Sequence, residues 1–321
     1  MSLSLPHGVV LDLGTLHPQD LDLNRLRATL PRWDMYDCSS AAEAALRLQD
    51  ASIAVTNKFV VDAALFARTP RLRLICVAAT GTNNVDLSAA CERGIAVANV
   101  PGYATPSVVE HVFALILSLQ RRLSEQEHAA RSLWAHQRNF CIADFPTREL
   151  HGKTLGIIGY GELGQSVAAI GRAFGMQVLV AQRPGGDDRS GRVPLEELLR
   201  ASDVVSLHCP LTANTRGLIT ARELALMKTT ALLINTARGG IVDEQALMAA
   251  LQNGRLGGAG IDVLREEPPR HGSPLLLARL PNLIVTPHVA WASCEARQRL
   301  VDELTANIVA FLKGEARNRV C

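Results

Sequence analysis

The chain has 321 residues, of which 48% are hydrophobic and 20% are charged. This length suits two medium-sized domains, and the hydrophobic content is enough for packed cores and excludes a largely disordered chain. The formal net charge of +2 excludes the strong basic balance on which nucleic-acid and membrane-surface proteins depend, so we expect neither partner.

The cysteines and the lack of targeting signals favour a cytoplasmic protein. Residues 1–13 have no basic region ahead of their apolar residues, which argues against a signal peptide. The longest apolar helical pattern, residues 108–119, contains Glu110 and His111 and is too short to span a bilayer. The seven cysteines are scattered and lack a C-x-x-C pair, so we expect free thiols. No spacing of His, Cys and Asp predicts a metal site.

Short apolar runs alternate with helical patterns in the first third of the chain. Helices are predicted over residues 41–48 and 87–93. This alternation is typical of a parallel sheet with right-handed crossovers. The predicted strands of this sheet are residues 9–11, 53–55, 72–77 and 95–97.

Pro101 and Gly102 interrupt this pattern. Thr105 and Pro106 are typical of a helix start, and the helix they begin is predicted to reach about residue 121 and to connect two domains. Residues 126–149 have no regular pattern, and we expect an extended arm or an oligomer contact there.

A glycine motif follows the arm. Gly159, Gly161 and Gly164 lie between an apolar run at residues 154–158 and a helical pattern at residues 163–174. The first glycine allows a sharp turn, the second lets the backbone approach a pyrophosphate, and the third lets the helix pack on the strand. The helix N-terminus then offers N–H groups to the phosphates. A strand, a G-x-G-x-x-G turn and a helix in this order predict a dinucleotide-binding fold.

Six apolar runs in this part of the chain match the strands of a full dinucleotide-binding sheet. A last helix, residues 295–313, is expected to return to the first domain, so that domain is discontinuous. Residues 183–192 are rich in glycine and charge and are predicted to form a loop. The six predicted strands are residues 155–158, 177–180, 204–207, 231–234, 258–263 and 283–285.

The predicted fold class is α/β, with two doubly wound parallel-sheet domains and a cleft between them. A Rossmann cofactor domain spans residues 102–289 and includes the hinge helix and the arm. A flavodoxin-like substrate domain comprises residues 1–101 and 290–321.

Three charged or titratable residues follow strands of the second sheet. Arg238, Glu267 and His288 each come just after a predicted strand, and ligands of open parallel sheets bind at the carboxyl ends of the strands. Arginine can hold a carboxylate with two parallel donors, and histidine can exchange a proton with an alcohol or carbonyl oxygen. A carboxylate on the other ring nitrogen would fix the histidine tautomer. The set suits chemistry on a 2-hydroxy acid.

Four motifs of the second domain, taken in order, resemble the D-isomer-specific 2-hydroxyacid dehydrogenases. They are the glycine motif at residues 159–164, Asn-Thr-Ala-Arg-Gly-Gly at 235–240, Asp-Val-x-x-x-Glu-Pro at 262–268 and Thr-Pro-His at 286–288.

The first domain resembles the same family. Residues 79–86 are similar to the family loop whose backbone amides receive the substrate carboxylate, and residues 99–102 and 107–111 are similar to its hinge. The resemblance therefore covers nearly the whole chain.

The resemblance implies an NAD(P)-dependent enzyme that transfers hydride between nicotinamide and C2 of a small D-2-hydroxy or 2-oxo acid. Arg238, Glu267 and His288 would be the catalytic residues, and Arg238 would also hold the substrate together with the N–H groups of Thr80 and Gly81. Asp262 would hold the nicotinamide amide, and Thr105 would lie near the nicotinamide end. The full set of implied cofactor contacts is Thr105, Gly159, Gly161, Glu162, Leu163, Gly164, Gln182, Arg183, His208, Cys209, Pro210, Thr215, Thr236, Ala237, Arg238, Asp262 and His288.

Residues 83–86 and 288–293 look most like the glycerate dehydrogenase and hydroxypyruvate reductase branch of the family. This implies reduction of hydroxypyruvate or glyoxylate, with D-glycerate oxidation in reverse, and Trp291 would line the substrate pocket. The family is usually dimeric, with the arm embracing the partner, so a homodimer is expected.

The second strand of the dinucleotide fold departs from the NAD-binding pattern. An acidic residue usually stands about 20 residues after the glycine loop and bonds the ribose 2′-hydroxyl. Gln182 and Arg183 stand there instead. A missing carboxylate removes repulsion against a 2′-phosphate, and Arg183 could pair with one. We expect NADPH to be accepted and NADH to bind as well. Whether NADPH is the preferred cofactor stays open at the level of sequence.

Several alternatives stay open at the level of sequence. His208 also follows a strand and is the main rival of His288 as proton donor, whereas Cys209 has no assigned base and is expected to be a packed thiol. A nucleotide-sensing regulator related to transcriptional corepressors could share the fold. Oxidation of formate or a phosphonate by the same scaffold is a further alternative.

Overall fold

The computed structural model describes residues 6–183 and 190–321. The chain divides into two compact units, here called unit 1, Met1–Ala104 with Ala292–Cys321, and unit 2, Thr105–Trp291. The predicted domain boundaries, after residues 101 and 289, lie within three residues of the boundaries between these units. Of the predicted loop at residues 183–192, residues 184–189 lie outside the described residues.

Unit 1 is built on a five-stranded parallel sheet with strand order β2-β1-β3-β4-β5. This order is the flavodoxin-like order, and the predicted doubly wound α/β class is confirmed. A core cluster is formed by apolar side chains of the strands and of the helices α2, α3 and α4, with Phe66 fully buried. The strands are β1 His7–Val10, β2 Arg32–Met35, β3 Ile53–Thr56, β4 Leu74–Val77 and β5 Ala96–Ala98; the helices are α1 Asn24–Arg27, α2 Ala41–Arg47, α3 Ala63–Ala67, α4 Leu87–Glu92 and α12 Cys294–Leu312, with 3-10 turns at Leu13–Leu16 and Pro18–Asp20.

Strand β2 is absent from the sequence prediction. It has the sequence Arg-Trp-Asp-Met, lies at the edge of the sheet and pairs only with β1. Its side chains are exposed or half-buried, whereas those of β1, β3 and β4 are buried throughout. An edge strand needs no apolar run because only one of its sides faces another strand, so its sequence gives little signal.

The last residues of the chain extend the edge of this sheet. Ala98 and Arg319 form an antiparallel bridge, and the N–H of Val320 donates to the carbonyl oxygen of Val97 at 2.8 Å. Cys91 and Cys321 form a disulfide across a Cα–Cα distance of 5.7 Å. The expectation that every cysteine is a free thiol is therefore wrong for this pair, because residues 230 apart in sequence meet at the end of the sheet.

Unit 2 is built on a six-stranded parallel sheet with strand order β11-β10-β9-β8-β6-β7. Each strand coincides with one of the six predicted from apolar runs. Beyond β7, Ala181 and Val193 form an isolated parallel bridge. Among the described residues, this bridge is what stands at the position of the third strand of the usual dinucleotide-binding order. The strands are β6 Thr154–Ile158, β7 Gln177–Val180, β8 Val204–Leu207, β9 Leu232–Asn235, β10 Gly258–Ile261 and β11 Leu283–Val285.

Helices cover both faces of this sheet. The predicted hinge helix, α5, begins at Thr105 and packs against α7 and the strands β9, β10 and β11. Gly260 permits the close approach of α5, because a Cβ there would lie 2.9 Å from Leu115 Cβ. The helices are α5 Thr105–Arg121, α6 Leu123–Ser132, α7 Glu162–Ala173, α8 Leu195–Ala201, α9 Ala221–Leu226, α10 Glu244–Gln252 and α11 Pro274–Leu277, with a 3-10 turn at Trp134–His136.

The predicted irregular arm begins with a regular helix. Residues up to Ser132 belong to α6, so the prediction of an irregular segment from residue 126 is wrong for its first part. The mean hydropathy of α6 is low and only Ala129 is buried, so the helix offers few apolar residues from which it could be predicted. Residues 133–149 contain no helix apart from the 3-10 turn at Trp134–His136, and Phe140 is 89% exposed.

Candidate active site

The glycine turn connects β6 to α7 and has the geometry that its three glycines require. Gly159 has a φ of +94°, and a Cβ there would lie 2.5 Å from the backbone nitrogen of Cys209. A Cβ at Gly164 would lie 2.1 Å from the carbonyl oxygen of Gly159. A Cβ at Gly161, in contrast, would meet nothing within 4 Å. The first and third glycines are needed for packing within the protein, whereas the second faces open space.

This turn lies at a topological switch point of the sheet. Strand β6 stands between β7 and β8, so the chain leaves β6 toward one side and returns on the other. Ligands of open α/β sheets bind at such a point, outside the carboxyl ends of the strands. Among the described side chains, none caps the N-terminus of α7 at Gly161. The helix N-terminus therefore keeps its capacity to bind an anion.

Two buried polar atoms beside the turn lack a hydrogen-bond partner among the described residues. They are Thr236 Oγ1, just after β9, and His208 Nδ1, just after β8. Buried polar groups are normally satisfied, so an orphaned pair at the carboxyl ends of adjacent strands is consistent with a polar ligand. Together with the open side of Gly161, these atoms fit a dinucleotide with its phosphates on α7.

Other predicted cofactor contacts surround the same turn. Thr105 donates its hydroxyl to Glu162 Oε1 at 2.6 Å, which joins the start of α5 to the start of α7. Leu163 follows Glu162 in the first turn of α7. The hydroxyl of Thr215 donates to the carbonyl oxygen of Pro210 at 2.6 Å, and Thr215 is 5% exposed. The Thr215 side chain therefore shapes the loop after β8 from within.

The end of β7 carries the residues predicted to select the cofactor. Gln182 is half-buried, and its backbone N–H donates to the carbonyl oxygen of Val193 at 2.9 Å. Arg183 is exposed. The position usually occupied by an acid thus carries an amide followed by a guanidinium, at the end of the strand next to the glycine turn.

Glu267 and His288 are in contact. His288 Nδ1 lies 2.6 Å from Glu267 Oε2, and their side chains are 27% and 35% exposed, respectively. The other oxygen, Glu267 Oε1, accepts the backbone N–H of Leu264 at 2.8 Å. A carboxylate can only accept at this contact, so His288 Nδ1 carries the proton and donates it. This arrangement holds the ring and leaves Nε2 for a substrate.

The backbone of His288 adopts a left-handed conformation, with a φ of +55°. Such a conformation costs a residue other than glycine about 1–3 kcal/mol and persists only where the surroundings impose it. Two acceptors hold the His288 N–H, the carbonyl oxygens of Asp262 at 2.8 Å and of Thr286 at 3.0 Å. Trp291 Nε1 donates to the His288 carbonyl oxygen at 2.9 Å. The predicted substrate-lining tryptophan thus also supports the turn that carries His288.

Asp262 is 1% exposed, and both of its carboxylate oxygens accept hydrogen bonds from the same turn. Oδ1 accepts from Thr286 Oγ1 at 2.6 Å and from the N–H of Val289 at 2.9 Å. Oδ2 accepts from the N–H of Ala290 at 3.0 Å. The predicted contact of Asp262 with the nicotinamide amide stays a prediction, and the structure gives this side chain the further task of anchoring residues 286–290.

Arg238 lies in the loop after β9, the strand next to β10. Its guanidinium is exposed and donates from Nη1 to the carbonyl oxygen of Ala237 at 2.7 Å. Asn235 fixes this loop, because its side chain donates to the carbonyl oxygen of Arg238 and accepts the N–H of Ala237. Arg238 therefore occupies the same edge of the sheet as Glu267 and His288, and the contact observed within the trio is that between Glu267 and His288.

His208, the rival of His288, has a different environment. Its Nε2 lies 2.8 Å from Ser206 Oγ, and burial lowers the pKa of its imidazole to about 4. The ring is therefore neutral near pH 7. Burial also raises the pKa of the neighbouring Cys209 thiol, which keeps it protonated.

The predicted substrate amides belong to unit 1. Thr80 and Gly81 follow β4, and the Thr80 hydroxyl donates to the carbonyl oxygen of Val100 at 3.0 Å. Within residues 6–183 and 190–321, the backbone N–H groups of Thr80 and Gly81 have no acceptor. Two successive unsatisfied N–H groups on a loop are suited to an anion.

In the part of the chain that the structure describes, no group of three or more His, Cys, Asp or Glu residues is arranged to hold a metal ion. Over the same residues, no helix has both the length and the apolar character needed to cross a membrane.

Comparison with known proteins places this geometry in context. The family model described as "D-isomer specific 2-hydroxyacid dehydrogenase, NAD binding domain" matches residues 113–290. The chain is 49% identical over 275 residues to a glycerate dehydrogenase of Methylorubrum extorquens, covering 85% of this chain and 87% of the relative. It is 40% identical over 320 residues to a hydroxypyruvate reductase of Blautia hydrogenotrophica, covering 97% and 98%.

A solved structure of a reductase has a similar fold. The crystal structure of an NADPH-dependent glyoxylate/hydroxypyruvate reductase from Sinorhizobium meliloti, in complex with NADP and malonate, superimposes with a TM-score of 0.82 at 30% identity. The match covers 99% of this chain and 97% of that one.

Proposed function

The chain belongs to the D-isomer-specific 2-hydroxyacid dehydrogenases, and from this premise we propose that it reduces hydroxypyruvate or glyoxylate at C2. It is an NAD(P)-dependent oxidoreductase. Similarity to a glycerate dehydrogenase and to reductases of hydroxypyruvate and glyoxylate supports this substrate class. The observation that carries the proposal is the 2.6 Å contact of His288 with Glu267 at the carboxyl end of a dinucleotide-binding sheet. D-glycerate oxidation is the reverse of hydroxypyruvate reduction.

The proton step is assigned to His288. When bound, the nicotinamide supplies the hydride that C2 receives. In the imidazolium form, His288 Nε2 donates its proton to the C2 carbonyl oxygen as that oxygen becomes an alkoxide, and the ring becomes neutral while Nδ1 keeps its hydrogen bond to Glu267. In the oxidative direction the neutral Nε2 accepts the hydroxyl proton. Glu267 stabilises the imidazolium and fixes the ring orientation.

Substrate binding is assigned to Arg238 and to the amides of Thr80 and Gly81. The guanidinium presents two parallel donors to a carboxylate or carbonyl oxygen. The N–H groups of Thr80 and Gly81 provide further donors for the carboxylate. Trp291 is assigned to the wall of the substrate pocket. We propose on the same grounds that unit 2 binds the cofactor and that unit 1 contributes to substrate binding.

Replacement of Arg238 by lysine tests whether the two parallel donors of the guanidinium bind the substrate. Lysine keeps the charge but cannot form two parallel hydrogen bonds, so Arg238→Lys should raise KM for the 2-oxo acid more than it lowers kcat. Steady-state kinetics with saturating cofactor measures both parameters. An unchanged KM would contradict the assignment.

The cofactor preference is proposed from the end of β7. Gln182 imposes no negative charge on a 2′-phosphate, and the exposed Arg183 can pair with one, so NADPH should be used at least as well as NADH. Gln182→Asp should lower kcat/KM for NADPH and raise the NADH/NADPH ratio. An unchanged ratio would show that the end of β7 does not select the cofactor.

The oligomeric state and the compartment are proposed from the family. A homodimer that uses the exposed Trp134 and Phe140 of the arm would cover two large apolar side chains. Light scattering on the full chain distinguishes a dimer from a monomer. A cytoplasmic location stays a prediction.

A substrate panel tests the proposed function. Initial rates are measured with hydroxypyruvate, glyoxylate and pyruvate, each with NADPH and with NADH, and in the oxidative direction with formate and a phosphonate. Fast turnover of hydroxypyruvate or glyoxylate is expected. Intact nucleotide binding without turnover of any 2-oxo acid would favour the regulator alternative, and turnover of formate or a phosphonate alone would favour the other oxidation.

A further inference from the structure

Two polar side chains of helix α5 contact the turn at residues 286–290, which carries His288. Ser107 donates its hydroxyl to the carbonyl oxygen of Ala290 at 2.7 Å. His111 Nε2 lies 3.0 Å from Thr286 Oγ1. Ser107 and His111 are four residues apart, so they occupy one face of the helix. They contact the turn at both ends of residues 286–290.

The direction of each hydrogen bond in this network can be deduced. Asp262 Oδ1 accepts from the Thr286 hydroxyl at 2.6 Å, because a carboxylate has no proton to give. A hydroxyl has one proton, so Thr286 Oγ1 must accept at its contact with the histidine. His111 therefore donates from Nε2. The chain of donors runs from His111 through Thr286 to Asp262.

This hydrogen-bond network ends at the backbone around His288. Asp262 receives the N–H groups of Val289 and Ala290 on its carboxylate and the N–H of His288 on its carbonyl oxygen. These bonds surround the residue with the left-handed φ of +55°, His288. The buried carboxylate is thus held by Thr286 and by two backbone N–H groups, and His111 Nε2, which orients Thr286, also lies 3.6 Å from Asp262 Oδ1.

We propose that His111 and Ser107 are positioning residues for proton transfer. They act through Thr286, Asp262 and Ala290 to hold His288 at the reacting oxygen, and they do not themselves contact the substrate. The inference rests on the proposed function, in which His288 exchanges the proton. Without the His111 donor, Thr286 loses a hydrogen bond and the turn becomes less rigid. The His288 ring then moves away from the reacting oxygen, because the contact with Glu267 alone does not hold it there.

Paired substitutions of His111 test the proposal. His111→Leu removes the donor, whereas His111→Gln places an amide N–H close to the position of Nε2. His111→Leu should lower kcat per active site by up to about 100-fold, as expected for a displacement of about 1 Å at the reacting group. His111→Gln should recover most of that loss of kcat.

The primary isotope effect with C4-deuterated reduced nicotinamide adds a readout that general loosening of the fold would not change. In His111→Leu the chemical step becomes limiting, so the isotope effect on kcat should rise above that of the parent and fall again in His111→Gln. A parent-like kcat and isotope effect in His111→Leu would overturn the proposal. So would a His111→Gln variant as slow as His111→Leu, because the donor would then not be the cause.

Serine substitutions on the same helix provide the matched control. Ser107→Ala removes the bond to Ala290, whereas Ser118→Ala removes a hydroxyl from α5 far along the helix from residues 286–290. Ser107→Ala should slow turnover and raise the isotope effect, and Ser118→Ala should match the parent. If His111→Leu does not fold, this pair decides the question: equal rates for the two serine variants would overturn the proposal.

A crystal structure of His111→Leu keeps this test separate from that of the proposed function. If the parent reduces no 2-oxo acid, the function fails, but the positioning claim still predicts that the variant loses the left-handed φ at His288 or the 2.6 Å contact with Glu267. An unchanged turn in the variant would overturn the positioning claim whatever the activity of the parent.

Discussion

Unit 2 presents two histidines at the ends of its strands, and they differ in every property that matters for proton exchange. His288 has a left-handed backbone, a carboxylate on Nδ1 and a partly exposed ring. His208 follows β8, contacts the hydroxyl of Ser206 and has a pKa lowered to about 4 by burial. Sequence position alone makes the two equivalent, since each follows a parallel strand at the edge where ligands bind.

The comparison shows that the surroundings of each ring, rather than its position after a parallel strand, decide what a histidine can do. His288 Nδ1 contacts a carboxylate, whereas burial makes an imidazolium at His208 unfavourable. His208 is instead suited to a neutral hydrogen-bonding role beside the cofactor. Its unsatisfied Nδ1 is consistent with that role.

Replacement of His288 should have the largest effect. His288→Gln removes the proton donor, and loss of general acid–base catalysis should lower kcat by about 10²–10⁴-fold. Cofactor affinity should stay near that of the parent, because the glycine turn and α7 are unaffected. Steady-state kinetics and nucleotide titration measure the two quantities. Turnover at the rate of the parent would remove His288 from the mechanism.

Replacement of Glu267 should have the second-largest effect. Glu267→Gln keeps an acceptor for Nδ1 but removes the charge, and a hydrogen bond to a charged group contributes about 1.5–3 kcal/mol, which corresponds to roughly 10- to 100-fold in kcat. Glu266→Gln is the matched control, because Glu266 contacts the exposed His271 instead. Equal losses in the two variants would show that the charge acts at long range and not through His288.

Replacement of His208 should affect cofactor binding more than chemistry. His208→Gln should leave kcat near that of the parent and weaken binding of the nicotinamide dinucleotide, because the orphaned Nδ1 is assigned to the cofactor side of the site. The measurement is the dissociation constant from fluorescence titration together with kcat at saturating cofactor. A large loss of kcat with unchanged affinity would reverse the roles of the two histidines.

The smallest expected effect concerns stability against pH. Burial lowers the folded pKa of His208 from 6.5 to about 4, so the unfolded state binds the proton first as the pH falls. The stability contribution of neutral His208 is therefore complete above pH 6.5 and declines progressively toward pH 4. The Tm of His208→Gln should fall less over this interval than that of the parent. Parallel Tm curves would show that His208 is not buried as described.

Much of the fold could be predicted from the sequence, because buried strands in a parallel sheet are continuous apolar runs. All six strands of unit 2 and the glycine turn were identified in this way. Strand β2 was missed because its edge position allows Arg32 and Asp34. Helix α6 was missed because a largely exposed helix has few apolar residues.

The site shows the same limit. The residues that carry the chemistry could be named because their types and their positions after strands are visible in one dimension. The supporting contacts of Ser107 and His111 could not be named, since they depend on where α5 packs against residues 286–290. Their spacing of four residues on one helix indicates a shared face, but the sequence does not indicate what that face contacts.

Single turnover with hydroxypyruvate tests the central claim most directly. Enzyme preloaded with reduced nicotinamide cofactor is mixed with excess hydroxypyruvate, and oxidation of the bound cofactor is followed by its absorbance in the parent, His288→Gln and His208→Gln. Fast oxidation is expected in the parent and in His208→Gln, with a much slower reaction in His288→Gln. A fast reaction in His288→Gln combined with a slow one in His208→Gln would contradict the assignment of proton exchange to the His288–Glu267 pair.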